Sequence, residues 1–312
     1  MKTSRLATIL HDGCLNNKSR TFLRIRRRLM PFIANVPVVS DYFGKKIVFP
    51  MHHDLVYLTS LLPLYNVPLR QLAKTIRDHE RHLGFIDIGA NIGDGIALVD
   101  PQPDDRIWLI EGSKEYLPYL KENSKGLANV KIIEAYLAEE AKVTAGAEII
   151  ENATARIDMA AKGSIVFETL DNIFASLPQG VSMPNLLKID VEGHEPKIFR
   201  GGLRFLQQAR PVIFMEWHQK LLKKEAFDPM ILIDLLTNLG YTKYVVYDNT
   251  GYLLGFYGAN ERSHFSHLSE YARAKDGFYF DVAAFPETSS VLWDNYCRTE
   301  IDRFSVMPDG LA

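Results

Sequence analysis

The sequence predicts an α/β fold built on a mostly parallel sheet, and three observations predict it. Short apolar runs typical of buried strands alternate with stretches of helical periodicity through the middle of the chain. A glycine-rich turn joins the first of these runs to a helix. Acidic residues follow the ends of several runs, at the sheet edge where open parallel sheets bind their ligands.

The composition describes an ordinary globular protein of 312 residues, of which 47% are hydrophobic and 24% are charged. A chain of this length can form one large domain with a substantial core, or two small ones. Its formal net charge of −2 supplies no general attraction for nucleic acid. Cys14 and Cys297 have neither metal-ligand spacing nor the pattern of a disulfide framework. No apolar run resembles a membrane span or a signal peptide, so we expect a cytoplasmic protein.

Changes in composition divide the chain into four segments. They are a basic N-terminal arm (1–40), an N-terminal cap with a short strand and helices (41–82), the main domain (83–290) and a C-terminal tail (291–312). Six basic residues and no acid lie between Lys18 and Arg28, which predicts an N-terminal helical extension with one apolar face. The helix at 18–29 could lie on an anionic membrane, contact a partner or pack on its own domain. The sequence does not predict an oligomeric state.

The glycine-rich turn follows the apolar run that ends at Asp87. Unpaired N–H groups at the start of the next helix, with glycines that allow close approach, favour a nucleoside ligand. A dinucleotide fold needs a bare glycine beside the pyrophosphate, and Asn91 stands at that position. S-adenosylmethionine carries no phosphate, and it therefore suits acids in the turn better than NAD does. The predicted cofactor residues of the turn are Asp87, Gly89, Asn91, Gly93 and Asp94.

The second and third strands bring further residues to the same crevice. The run Arg106–Ile110 ends in Glu111, Gly112 and Ser113, about 20 residues beyond the glycine turn, where an acid accepts hydrogen bonds from ribose hydroxyls. The third strand, Val130–Leu137, brings Tyr136 to the expected position of the base. The less regular interval 139–167 predicts an inserted hairpin or loop.

The fourth strand, Leu186–Ile189, ends in the segment DVEGHEP, which supplies the candidate catalytic residues Asp190, Glu192 and His194. Asp190 is also a predicted cofactor-binding residue. His194 is a candidate general base because the pKa of histidine is ordinarily near neutrality, and Glu192 or Glu195 could orient it. It could also be a structural residue at a helix start. Asp190 and Glu192 are alternative bases. Together with Glu216 they could instead hold a divalent cation, although the sequence contains no established metal-binding pattern.

The fifth strand, Pro211–Met215, ends in Glu216, Trp217 and His218, which we expect to contact the acceptor, although Trp217 is equally suited to a core. Tyr244–Tyr247 and Tyr252–Tyr257 predict a hairpin, and Phe278–Phe285 predicts a last strand. Antiparallel strands at the end of a parallel sheet distinguish methyltransferases from all-parallel dehydrogenases.

Several of these stretches resemble the FkbM family of class I S-adenosylmethionine-dependent methyltransferases. They are FIDIGANIGDG (85–95), LIEGS (109–113), TLD (169–171) and LKIDVEGHEPKIFRGG (187–202), followed by the strand that ends at Glu216. The resemblance covers residues 83–285. It implies a Rossmann-like, seven-stranded, mostly parallel sheet with helices on both faces. It also implies O-methylation of a small-molecule or glycan acceptor, such as a sugar, a polyketide or another secondary metabolite. The chain departs from the family at Asp94-Gly95 and at Tyr136-Leu137.

Two other classes of function remain open at this stage. One is an NAD-linked Rossmann oxidoreductase, which Asn91 and the absence of a Tyr-x-x-x-Lys pattern disfavour. The other is a non-catalytic nucleoside-binding or scaffold protein with the same fold, which the acids at three strand ends disfavour.

Overall fold

The computed structural model describes residues 3–4, 7–12, 28–30, 32–53, 55–151, 154–158, 161–177 and 182–305. Most of the predicted amphipathic helix at 18–29, and Cys14, therefore lie outside the described residues. Within the described ranges, no helix is both long and apolar enough to cross a membrane.

Strands and helices alternate along the described chain. The strands are β1 (Pro37–Tyr42), β2 (Lys45–Pro50), β3 (Gly84–Ile88), β4 (Arg106–Glu111), β5 (Val130–Glu134), β6 (Tyr136–Leu137), β7 (Lys142–Ala145), β8 (Ala147–Glu151), β9 (Thr154–Asp158), β10 (Ser164–Glu168), β11 (Leu186–Ile189), β12 (Val212–Trp217), β13 (Tyr241–Asp248), β14 (Leu253–Gly258) and β15 (Phe280–Pro286). The helices are α1 (Leu55–Leu61), α2 (Val67–Glu80), α3 (Asp94–Val99), α4 (Leu117–Asn123), α5 (Leu170–Ala175), α6 (Glu195–Arg200), α7 (Leu203–Ala209), α8 (Gln219–Lys224), α9 (Ile231–Asn238), α10 (Arg262–Ala274) and α11 (Ser290–Ser305).

The centre of the fold is an eight-stranded sheet in the order β14-β13-β15-β12-β11-β3-β4-β5. Strands β12, β11, β3, β4 and β5 are parallel, and β15 runs antiparallel to both of its neighbours, β12 and β13. The predicted mostly parallel α/β fold is confirmed. The predicted hairpin is β13–β14, and β14 adds an edge strand to the seven that were expected.

Helices cover both faces of this sheet, as predicted, and their apolar side chains pack against it. Side chains alternate between the two faces of a strand, so Phe85 packs with α2, α3, α4 and α11, whereas Ile86 packs with α6, α7, α9 and α10. Each fully buried large apolar side chain contributes about 1.5–3 kcal/mol relative to an exposed one. The two cores therefore fix which side chains at the strand ends point to each face.

The side-chain amide of Asn123 links the N-terminal cap to the glycine turn through hydrogen bonds. Strands β1 and β2 form an antiparallel hairpin. The Asn123 amide donates to the Val48 carbonyl of β2 at 2.8 Å and to the Ile92 carbonyl of the turn at 2.7 Å. Its oxygen accepts the Val48 N–H at 2.7 Å. The cap therefore has a fixed position beside the predicted cofactor turn.

The interval predicted to be an inserted hairpin or loop contains more structure than expected. Strand β10 pairs with β6 and β7 in a small sheet. Strands β8 and β9, which lie between β7 and β10 in the sequence, pair with each other as a separate hairpin. The segment expected as a C-terminal tail begins with α11, whose Tyr296 is fully buried.

Candidate functional site

The polar side chains of the site lie on one face of the sheet, at its carboxyl edge. Lys188 in β11 is the register partner of Asp87 in β3, and Glu216 in β12 is the partner of Asp281 in β15. Asp190 follows Lys188 by two residues, so it is on the same side of the strand. The face is the one that also carries α2, α3 and the N-terminal cap.

The glycine turn contacts the ends of both neighbouring strands. Gly89 has a φ of 78°, and a β-carbon there would lie 2.2 Å from the Asp190 carbonyl oxygen, so no other residue fits. The Asn91 N–H donates to Glu111 Oε2 at 2.7 Å. Asn91 Oδ1 is buried and has no hydrogen-bond partner among the described residues. The turn, Glu111 and Asp190 therefore lie together at one edge of the sheet.

Glu111 is held by backbone donors at the end of β4. Its Oε1 accepts the Ser113 N–H at 2.7 Å, while its Oε2 accepts the Asn91 N–H. Burial raises the pKa of Glu111, and these N–H groups oppose that rise. A β-carbon at Gly112 would lie 2.5 Å from the Tyr136 ring, so the ring packs directly on this glycine. The four residues predicted at this end of the site lie together.

A buried ion pair lies beneath the turn. Lys188 Nζ is 3.3 Å from Asp87 Oδ1 and 3.8 Å from Asp190 Oδ2. Burial raises the pKa of Asp87 to about 7, although Lys188 acts in the opposite direction. A β-carbon at Gly95 would lie 2.0 Å from Asp87 Oδ2, so this carboxylate is enclosed on that side. Asp190 is more accessible, with its side chain 42% exposed.

Asp94 and Gly93 complete the predicted cofactor turn. Gly93 has a φ of 88°, which favours glycine, and it precedes Asp94, the first residue of α3. Burial raises the pKa of Asp94, and Lys188 opposes the rise. Asp94 therefore belongs to the same charged group as Asp87, Lys188 and Asp190.

A second group of polar residues continues the site along β12 and β15. The pKa of Glu216 is raised well above its usual value, mainly by burial and in addition by the charges of Asp190 and Glu192. Burial, with Asp190 nearby, raises the pKa of Asp281 to about 8. The His218 ring stacks on Tyr279 with their centroids 5.5 Å apart.

The N-terminal cap reaches this second group through Tyr65. The Tyr65 hydroxyl lies near the Tyr279 hydroxyl, and each affects the pKa of the other. The charges of Asp281, Asp190 and Asp94 add to the effect of burial in raising the pKa of Tyr65. A residue of the cap therefore lies among the site carboxylates.

Trp217 points to the other face of the sheet. It is fully buried between Phe265 and Phe280, and its indole N–H donates to the Pro229 carbonyl at 2.7 Å. This is a core position, because alternation along β12 separates Trp217 from its neighbours Glu216 and His218.

The DVEGHEP segment forms a tight turn, and its polar side chains make different contacts. Glu192 has a φ of 57° and is half-buried. Glu195 Oε1 accepts the N–H groups of Val191 at 3.1 Å and Gly193 at 3.3 Å, so it stabilises the turn. Glu195, which was expected as a possible orienting group for His194, therefore accepts hydrogen bonds from the backbone.

His194 contacts two charged residues, one in α6 and one directly after α8. Its Nδ1 is 3.3 Å from Glu225 Oε2 and 3.1 Å from Lys197 Nζ. Lys197 Nζ is in turn 2.9 Å from Glu225 Oε2. The role of His194 as a base stays a prediction. For the metal alternative, no set of three or more His, Cys, Asp or Glu side chains in the described ranges is grouped as a metal site requires.

Sequence reasoning missed several residues of the site. Lys188 and Asp281 each interrupt an otherwise apolar strand, and a charged residue in a buried strand is a signal that could have found them. Tyr65, Tyr279 and Glu148 carry no such signal, because only the tertiary structure brings the cap, the start of β15 and β8 to the sheet edge.

Comparisons with known proteins give one family match and several matches to solved structures. The family model of the methyltransferase FkbM domain matches residues 87–243. Among solved structures, a methyltransferase FkbM from Methylobacillus flagellatus KT is 17% identical with a TM-score of 0.34; the match covers 51% of this chain and 36% of that one. An O-methyltransferase from Bacillus cereus in complex with SAH is 10% identical with a TM-score of 0.42, covering 85% and 97%. No curated protein matches the chain.

Proposed function

This chain belongs to the methyltransferase FkbM domain family, and we propose that it is an S-adenosylmethionine-dependent O-methyltransferase acting on a hydroxyl of a sugar, glycan or secondary metabolite. One observation carries the proposal. The glycine turn, Glu111 and Asp190 come from three separate strand ends and meet at one edge of the sheet. In an open parallel sheet this edge, beside the point where the strand order reverses, is where ligands bind.

The residues present fit an S-adenosyl nucleoside. Glu111 would accept the ribose hydroxyls, and Gly112 and Tyr136, which pack together, would adjoin the base. The buried oxygen of Asn91 has no hydrogen-bond partner among the described residues, and a donor group of the ligand would supply one. Asp94 and Asp190 suit the cationic part of the cofactor. The same carboxylates would repel a pyrophosphate, which argues against the NAD alternative. When bound, the cofactor supplies an electrophilic methyl group.

The remaining polar residues suit an acceptor hydroxyl. Glu216, His218 and Asp281 continue the site from Asp190 along the same face of the sheet. A base in hydrogen-bond reach must take the hydroxyl proton as the oxygen gains its methyl group. The contacts favour Asp190 over His194, because Asp190 adjoins Glu216 and Lys188 whereas His194 contacts Glu225 and Lys197. Glu192 remains the second candidate.

Replacement of Glu111 tests the cofactor assignment. We expect Glu111→Ala to weaken the binding of S-adenosylhomocysteine by about tenfold or more, because a carboxylate hydrogen bond to a ligand contributes roughly 1.5–3 kcal/mol. Isothermal titration calorimetry measures the affinity. Glu134→Ala is the matched control, since Glu134 is the register partner of Glu111 on β5 and is exposed.

Two results would contradict the cofactor assignment. One is equal affinity in Glu111→Ala and in the control. The other is binding of NAD without binding of S-adenosylhomocysteine, which would favour an oxidoreductase.

Turnover of a hydroxyl acceptor distinguishes a carboxylate base from a histidine base and from a metal. We expect Asp190→Asn to lower kcat at saturating cofactor on the order of 10²-fold, and His194→Ala to lower it less than about tenfold. We expect EDTA to leave the rate unchanged. A rate that EDTA abolishes and magnesium restores would assign Asp190, Glu192 and Glu216 to a metal, and the larger loss in His194→Ala would assign the base to His194.

A further inference from the structure

The β8–β9 hairpin is joined to the small β6–β10–β7 sheet through two glycines. Gly146 has a φ of 151° and Gly163 a φ of 157°, and the Gly146 N–H donates to the Gly163 carbonyl at 3.3 Å. A β-carbon at Gly163 would lie 2.5 Å from the Gly146 oxygen. The positive φ values favour glycine at both positions, and the close contact excludes a β-carbon at Gly163.

One side chain of this hairpin reaches the residues that follow β4. The Glu148 carboxylate accepts the Ser113 hydroxyl at one oxygen and the Lys114 N–H at 3.0 Å at the other. The Ser113 N–H is itself the donor to Glu111 Oε1. Glu148 thus holds the side chain of Ser113 and the N–H of the following peptide group, next to the Ser113 N–H that donates to Glu111.

The position of Glu148 carries an electrostatic cost. Burial is the main cause that raises the pKa of Glu111, and the charge of Glu148 raises it further. The backbone N–H donors lower this pKa. The charge of Glu148 also adds to burial in raising the pKa of Tyr136, the residue that packs on Gly112. A hairpin that served only to cover this turn could do so with an apolar or neutral side chain, which would avoid the repulsion between two acids.

We propose that Glu148 is a positioning residue for the nucleoside, which holds the Ser113–Lys114 backbone so that Glu111 faces the ribose. The inference rests on the proposed function, since it concerns the same cofactor. The inserted hairpin then contributes a residue to the cofactor site, whose other residues lie at the ends of strands of the central sheet. Glu148 acts through Ser113 and Glu111 on the ligand, and it takes no part in the transfer of the methyl group.

Calorimetry with S-adenosylhomocysteine tests the inference in four variants. Glu148→Ala removes both contacts, and we expect it to weaken binding about tenfold. Glu148→Gln keeps an oxygen for the Lys114 N–H, so its loss should be smaller. Ser113→Ala removes one contact, and the double variant Ser113→Ala/Glu148→Ala should bind no more weakly than Glu148→Ala alone. Glu140→Ala, an exposed acid of the same insertion, is the control.

Kinetics and thermal unfolding separate positioning from a purely structural role. We expect Glu148→Ala to raise the KM for S-adenosylmethionine and to leave kcat at saturation within about twofold of the wild-type value. A purely structural role would lower the unfolding temperature of the ligand-free protein and leave the affinity unchanged, which overturns the inference. Should Glu148→Ala not fold, Glu148→Gln decides by the same comparison.

The wild-type protein distinguishes failure of this inference from failure of the proposed function. If the wild type binds S-adenosylhomocysteine and both Glu148 variants bind it equally well, the inference is wrong and the proposed function stands. If the wild type does not bind it at all, the proposed function is wrong, and the inference falls with it.

Discussion

Glu195 is a carboxyl group that the fold buries almost completely, with 2% of its surface exposed. Burial raises its pKa to about 7, even though two backbone N–H groups donate to it. In the unfolded chain a glutamate has a pKa near 4.3. Between these two values the folded state holds more protons than the unfolded state, so the free energy of unfolding falls as pH rises through that window.

Glu195→Gln tests this pH dependence. The amide oxygen can still accept the Val191 and Gly193 N–H groups, and the variant has no charge to bury. We therefore expect it to gain stability relative to the wild type, by on the order of 3 kcal/mol, as pH rises from about 4 to about 8. Urea unfolding at several pH values measures the difference.

The exposed Glu140 offers the matched comparison. Glu140→Gln should show no such change of relative stability with pH. If the Glu195→Gln and wild-type stability curves stay parallel from acid to mild alkali, the buried carboxyl does not titrate as described.

At the scale of elements, the alternation of side chains explains why the site is on one face. Asp87, Lys188, Glu216 and Asp281 occupy strand positions that point toward the N-terminal cap, and the residues between them point into the opposite core. Trp217 follows the same rule, which is why it is buried while Glu216 and His218 adjoin the crevice. The acids that end three parallel strands could be predicted from sequence because each follows a recognisable apolar run.

The interval that forms the small sheet and the β8–β9 hairpin could be predicted only as an inserted hairpin or loop. The strands of the small sheet are short, and some of their apolar side chains are exposed, as at Val143 and Val166. The sequence pattern of such short strands does not specify register or partners. The contact between Glu148 and Ser113 is therefore a property of the folded chain alone.

At the scale of the whole molecule, α11 joins the end of the chain to the N-terminal cap. The Tyr247 hydroxyl donates to the Tyr296 hydroxyl at 2.8 Å, and the Tyr296 hydroxyl donates to the Pro68 carbonyl at 3.1 Å. Tyr296 is fully buried between β13 and α2. The helix is thus part of the same packed unit as the central sheet.

Tyr296→Phe measures the contribution of this connection. The change leaves buried polar groups without their partner at Tyr247 and Pro68, so we expect the free energy of unfolding to fall by about 1–3 kcal/mol. Denaturant unfolding provides the measurement. Tyr271→Phe, at a residue that is 47% exposed, should change stability far less. Equal unfolding midpoints in the two variants would contradict the packing described for α11.

The sequence by itself determined the α/β class, the glycine turn and the acids at the strand ends. These features depend on local rules: strand and helix periodicity, the backbone freedom of glycine and the burial of apolar runs. The tertiary structure decided which of those residues meet. It buried Lys188 and Asp281 among the acids, brought Tyr65 and Glu148 to the sheet edge and placed His194 against Glu225. Contacts between residues distant in sequence depend on strand order and packing, and neither is encoded in any single stretch of the chain.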